Sequence, residues 1–349
     1  MNETLVKGAA YHGNRMLTHV REDMRELASS GFNAVLHMFS HNDWDRHRTI
    51  MKEIFGISAD YGLDVWVDNW GLGGPPGDKS HFLAYHPEAH QVNADGSMSP
   101  VHVCFNAPAY VQFTKDWIDA VYEAGARKIF WDEPRFIDQT HAGPEKWTCR
   151  CENCRRLFAE RYGHDMPTLL TDEVDAFRKW SISNYFQTVA SYAKSLGMYN
   201  SICVMFSQGE NYGTDLESIS ATPALDNIGS DPYWLGAGPK GYSEVYRFVY
   251  ERTRLNLDLC ARHSKDHNLW IQTYSNPVGR EEEIIAAADA IYDAGARTIF
   301  CWGFRGSDAN DYRAAAPDRT WYATKAAYER ISQRHRDELW RKAREEMGV

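Results

Sequence analysis

The stretch at residues 128–136, KIFWDEPRF, sets two carboxylates side by side at the end of an apolar run. Ile129, Phe130 and Trp131 have the character of a buried strand, and Pro134 stops its ladder because proline has no N–H to donate. An acid at the carboxyl end of such a strand can protonate a leaving oxygen, and a second carboxylate can meet the electron-poor carbon left behind. That is the chemistry of glycoside cleavage. Glu133 is the candidate proton donor. Like-charge repulsion from Asp132 is expected to raise its pKa, as an acid working near neutral pH requires. Asp231, in GSDPYW, is the candidate base or nucleophile, and Asp68, in VDNWG, the reserve. Both also read as loop-start caps. Carboxyls roughly 6.5–9.5 Å apart imply inversion and about 5–5.5 Å retention; the strands carrying Glu133 and Asp231 are not neighbours, which leaves room for a water between them.

A second cluster is built of thiols. KWTCRCENC gives C-x-C-x2-C at Cys149, Cys151 and Cys154, and Cys104 lies upstream in VHVCFNAP. Four thiolates about 2.3 Å from one ion make a closed tetrahedral zinc site, which leaves no position for a catalytic water. The role expected is structural: a zinc clip between two loops. Disulfides are the competing reading, and the absence of an export signal argues against them. Cys203, Cys260 and Cys301 lie in apolar runs and read as packing residues.

Aromatic and polar candidates for sugar contact recur where strands end: Trp70, Trp234, Tyr274 and Trp302, with His12, His41 and Arg305 as hydroxyl partners. The Gly-rich segment 71–77, GLGGPPG, lacks a following Lys-Ser/Thr and is not a phosphate loop; it reads as a pocket wall. Glu210, in SQGENYGT, is a further acid that the sequence leaves undecided.

Elements must bring these groups together. Strand-like runs fall at 6–12, 34–40, 64–70, 128–133, 201–206, 227–231, 269–274 and 298–302, mostly short, apolar and β-branched or aromatic, as strands covered on both faces are. Helices are expected at 18–30 with Thr18 as cap, and at 45–61, 108–124, 172–196, 215–220, 243–264, 280–294 and 320–342. Recurrent glycines (Gly31, Gly62, Gly125, Gly197, Gly295) mark helix ends. An internal copy supports the same plan: DAVYEAGARKIF at 119–130 and DAIYDAGARTIF at 289–300. In that register Asp132 corresponds to Trp302, placing both at one mouth on strands half a turn apart. Eight strand–helix units predict a single (β/α)8 barrel over 1–349, with the chemistry at the carboxyl ends of the strands. An open doubly wound sheet is the alternative, but no G-x-G-x-x-G follows a strand. The long connections 71–107, 135–171 and 207–225 fall on that same end. The first two form the zinc-clipped insertion.

Composition narrows the function classes. The 349 residues carry a formal net charge of −10, which argues against a nucleic-acid partner, since phosphates need a basic face. No apolar run approaches membrane-spanning length and no signal peptide is visible, so a cytoplasmic location is expected. No organic cofactor is implied. The 12 Trp and 19 Tyr suit a small carbohydrate substrate, although core packing accounts for most of them.

The thiol motif followed by RRLFAERYG, with the upstream cysteine, resembles the zinc loop of family 42 glycoside hydrolases, the bacterial β-galactosidases, over about residues 103–163. That resemblance implies a clan A barrel with a general acid/base Glu ending strand four, where Glu133 stands, although Asp132 replaces the family's Asn. It also matches Trp302 to a sugar-stacking Trp and makes a homo-oligomer an expectation. The clan's nucleophile, a Glu ending strand seven, has no counterpart: LWIQTYSN ends in Tyr274. The Asp132-Glu133 pair is similar instead to hexosaminidase families 20 and 123, where the Glu is the acid and the Asp orients a substrate 2-acetamido group. Three other functions stay open: that substrate-assisted hexosaminidase, a metal-dependent sugar isomerase or epimerase using His12, Glu133 and Asp231, and a non-catalytic carbohydrate-binding barrel.

Overall fold

A computed structural model describes residues 4–73, 80–205 and 211–347. Eight parallel strands close into a barrel: β1 Val6–Tyr11, β2 Ala34–Met38, β3 Asp64–Asp68, β4 Lys128–Trp131, β5 Tyr199–Val204, β6 Asn227–Ser230, β7 Asp266–Gln272 and β8 Thr298–Trp302. They follow one another in order around the ring, and β1 pairs with β8 from Val6 against Thr298 to Ala9 against Cys301. Each segment expected as a strand is one, and the ring is a (β/α)8 barrel rather than an open sheet. Most expected strands run past the true ladder. His12, Trp70, Asp132, Glu133, Asp231 and Tyr274 all lie in the first residues beyond it.

The strands alternate in two dry layers. Ala10, Leu36, Trp66, Phe130, Cys203, Trp270 and Phe300 point into the barrel. Their neighbours Ala9, Val35, Val67, Ile129, Ile202, Ile271 and Ile299 face the surrounding helices. This period of two follows from strand geometry. It fixes which residue just past each strand looks into the mouth. Gly8 and Gly229 make room in the interior: a Cβ on Gly8 would meet the Phe300 ring at 2.2 Å, and one on Gly229 would meet Asn268 Oδ1 at 1.4 Å.

The helices around the ring are α1 Leu17–Ser29, α2 His41–Asp60, α3 Pro108–Glu123, α4 Glu152–Tyr162, α5 Asp172–Ser195, α6 Leu216–Ser220, α7 Gly241–Arg262, α8 Glu282–Ala294 and α9 Pro317–Met347. Gly31, Gly62, Gly125, Gly197 and Gly295 close five of the turns at φ between 75° and 110°. Six of the eight expected helix starts move, by one to four residues. The N-cap of α1 is Met16, which makes no side-chain cap bond, so Thr18 is not its cap. Helix α2 begins four residues earlier than expected, because Ser40 and Asp43 form a reciprocal capping box.

Two of the three long connections carry structure that the sequence did not reveal. The first holds a hairpin of His90–Val92 and Met98–Val103, and the second holds α4. Among the described residues no helix is long and apolar enough to cross a membrane.

Candidate active site

At the carboxyl ends of the strands lies a cavity with about 690 Å³ of empty space, open solvent at its mouth included. Its floor is the top interior layer of the barrel, Phe130, Cys203 and Trp270. Its walls include Trp70, Tyr233, Tyr274 and Trp302, with Asp132, Glu133 and Asp231 opening into it. Asp132 on the β4 side and Trp302 on β8 thus face one cavity from strands four places apart in the ring.

Consecutive residues normally point to opposite faces of a strand, yet Asp132 and Glu133 both line this cavity. The backbone explains it: Glu133 sits at φ +33°, a left-handed conformation that costs a non-glycine residue energy and breaks the alternation. The Asp132 N–H is held by Asn69 Oδ1 at 2.9 Å. Arg135 Nη1 donates to Glu133 Oε2 at 2.9 Å and touches Met205 Sδ at 2.8 Å.

Glu133 and Asp231 open into the cavity as neighbours, near enough for one carboxyl to act on the other. Asp231 is pushed well above the usual carboxylate range by burial first, then by the charge of Glu133 and the bond between them. Asp132 rises for the same reason, burial first, with Asp68 and Glu133 adding like charge and Arg135 opposing. Such neighbours titrate as a set rather than singly.

The other expected contacts divide. Trp70, Tyr274 and Trp302 line the cavity. Asp68 is fully buried beneath it: Oδ1 accepts the Trp70 N–H at 2.8 Å and Oδ2 has no partner. His12 wedges edge-on between Trp70 and Trp302, with ring centroids 5.5 and 4.8 Å away, and burial lowers its pKa to about 4. Trp234 does not reach the cavity. It is fully buried with Nε1 bonded to Glu283 at 2.6 Å. The residue two after Asp231 looks inward, and that is Tyr233; counting in twos from Asp231 would have found it. Arg305 also lies elsewhere, half-exposed and donating through Nε to Glu26 on α1 at 3.0 Å. His41 sits at the start of α2, stacked on His81. Tyr312, from the loop beyond β8, lines the cavity with no sequence signal to mark it. Glu210 and residues 74–77 of the Gly-rich segment lie outside the described residues.

The four thiols converge. Cys104, Cys149, Cys151 and Cys154 are buried with all Sγ atoms within 4.8 Å of one another. Cys104 lies 3.4 Å from Cys154 and 3.6 Å from Cys151. Thiolates about 2.3 Å from one tetrahedral ion would sit about 3.8 Å apart, so the cluster could hold a metal ion. Asn106 donates its backbone N–H to Cys104 Sγ and its side-chain amide to Cys154 Sγ, both at 3.3 Å. These are outer-shell bonds of the kind that orient metal ligands.

One strut joins this cluster to the acids. Thr148, beside Cys149, bonds the fully buried Gln91 of the hairpin. Gln91 Nε2 donates to the Arg135 carbonyl at 3.3 Å and to that of Val103 at 3.1 Å. Arg135 in turn holds Glu133. Among the described residues the acids at the mouth do not form a set of three donors within 4.8 Å; the four-cysteine cluster and the trio of His41, Asp45 and His81 do.

No protein-family model and no curated protein matches the chain. Solved structures do. The catalytic domain of a β-amylase from Paenibacillus polymyxa superposes with a TM-score of 0.68 at 11% identity, covering 95% of this chain and 99% of that one. An endo-1,4-β-mannanase from Rhizomucor miehei gives 0.62 at 11% identity, covering 95% of each chain. A D-allulose 3-epimerase from a Methylomonas species gives 0.52 at 13%, covering 95% and 99%. At such identities the likeness is one of fold.

Proposed function

We propose that this protein is a glycoside hydrolase acting on a small carbohydrate. The observation that carries the reading is the Glu133–Asp231 carboxyl pair, opening into one bowl walled by Trp70, Tyr274 and Trp302. Two of the solved structures that the barrel resembles, a β-amylase and a mannanase, act on glycosidic bonds, which supports it. The carboxyls titrate as a set; in the microstate with the proton on Glu133, that proton passes to the glycosidic oxygen while the Asp231 carboxylate meets the developing positive charge at the anomeric carbon. Product stereochemistry separates Asp231 as a nucleophile, with retention, from Asp231 as a base acting through a water, with inversion. The aromatic walls stack on sugar faces, and the buried four-cysteine cluster holds zinc in a structural role.

The test is turnover of a panel of aryl glycosides with product stereochemistry read by NMR. Glu133→Gln should lower kcat about 10²–10⁴-fold with the fold intact by circular dichroism. Full activity in that variant would remove Glu133 as the acid.

A second reading has its own support: the bend at Glu133 brings its side chain into the cavity beside Asp132, and strand seven ends in Tyr274 rather than a carboxylate. In it, Glu133 remains the acid and Asp132 orients a substrate 2-acetamido group. Turnover of plain glycosides as fast as of 2-acetamido ones excludes it. An isomerase built on a catalytic ion has less support, because the acids at the mouth are not gathered as a ligand set among the described residues.

A further inference from the structure

Away from the bowl, three side chains of another donor type converge. His41 and Asp45 are four apart at the start of α2 and so share one face of the helix. His81 approaches from the connection after β3. Their donor atoms all lie within 4.8 Å of one another. His81 Nε2 is 3.1 Å from Asp45 Oδ2, and His41 Nε2 is 4.0 Å from Asp45 Oδ1.

His41 is held as a ligand would be. Its ring is buried edge-on against Phe113, 4.7 Å between centroids, and Ser80 Oγ engages Nδ1 at 2.6 Å. A partner on one ring nitrogen sets the orientation of the other, the usual outer-shell arrangement of a metal-binding histidine. Here that leaves Nε2 facing Asp45. The Ser40–Asp43 capping box fixes the turn that carries His41.

We infer that His41, Asp45 and His81 form a second metal site, which takes one divalent transition ion with imidazole and carboxylate donors. Nitrogen and oxygen ligands at about 2.0–2.2 Å from a tetrahedral ion sit about 3.4 Å apart. The His81–Asp45 spacing is already within that, and the His41–Asp45 spacing needs to close by well under an ångström. The two imidazoles are stacked at 3.7 Å and 18°, so His81 must turn to aim its lone pair at the ion. Its side chain is 47% exposed and that of Asp45 is 43%, so both have room. The donor set suits Ni²⁺, Co²⁺, Cu²⁺ or Zn²⁺ rather than Mg²⁺ or Ca²⁺. With three protein ligands the ion keeps open positions for water, unlike a closed site of four thiolates. The bound ion ties the start of α2 to the connection after β3.

The test is calorimetric titration of untagged, zinc-loaded and dialysed full-length protein with Ni²⁺. Wild type should bind one ion per chain without sulfur-to-nickel charge-transfer bands. His81→Ala should lose that binding, and Ser80→Ala should weaken it roughly tenfold. Both positions are surface or half-buried, and circular dichroism checks the fold. No Ni²⁺ uptake by wild type, equal uptake at equal affinity by His81→Ala, or charge-transfer bands showing the thiols as ligands would each overturn the assignment.

Discussion

Asp68 has no access to solvent, one oxygen without a partner, and the charge of Glu133 nearby. Burial first and that charge second hold its pKa well above the usual range. The folded state therefore binds this proton more tightly than the unfolded chain. Its contribution to stability is full below about pH 4 and is lost as pH rises through the raised pKa. Asp68→Asn should accordingly raise Tm relative to wild type at pH 8 and change it little at pH 4, measured by thermal melts across that range. An equal shift at both pH values would place the effect in packing instead. Trp302 offers a second residue-scale check. An aromatic contact is worth about 0.5–1.5 kcal/mol, so Trp302→Ala should raise KM about 2–10-fold and leave kcat nearly unchanged, read from steady-state kinetics.

At the scale of elements, the hairpin and α4 matter because they carry the strut from the thiol cluster to Glu133. Gln91 bonds backbone or side chain from three segments at once. Replacing it by Leu strands those groups, at a cost of about 1–3 kcal/mol. Gln91→Leu should lower denaturant stability by that amount and lower kcat, while metal content by elemental analysis stays at the wild-type level. Loss of metal in the same variant would show Gln91 to be part of the cluster's own support. The motif at residues 149–154 made the cysteines legible in the sequence, because thiol ligands need close spacing that is visible along the chain. Gln91 was not legible, because its partners lie 12 to 57 residues away and no local pattern marks it.

At the scale of the whole molecule, closure of the ring leaves the interior no slack. The hydrogen on Gly229 faces Asn268, and a methyl there has no space. Gly229→Ala should destabilise by about 1–3 kcal/mol or more in urea unfolding, with part of it recovered in Gly229→Ala/Asn268→Ala. Additive losses in the double variant would mean that the two positions do not share one space. The same closed geometry sets β4 opposite β8, so that Asp132 and Trp302, far apart in sequence, face one cavity.

By itself, the sequence determined the strand–helix alternation, the helix-ending glycines and the grouping of Cys149, Cys151 and Cys154, because each is written in local periodicity or spacing. Only the tertiary structure decided which side chains meet. A one-residue change of parity sends Trp234 outward and Tyr233 inward, and a single left-handed residue turns Asp132 and Glu133 to the same side. Glu133 and Asp231 follow strands that are not neighbours, and only closure of the ring brings both into one cavity.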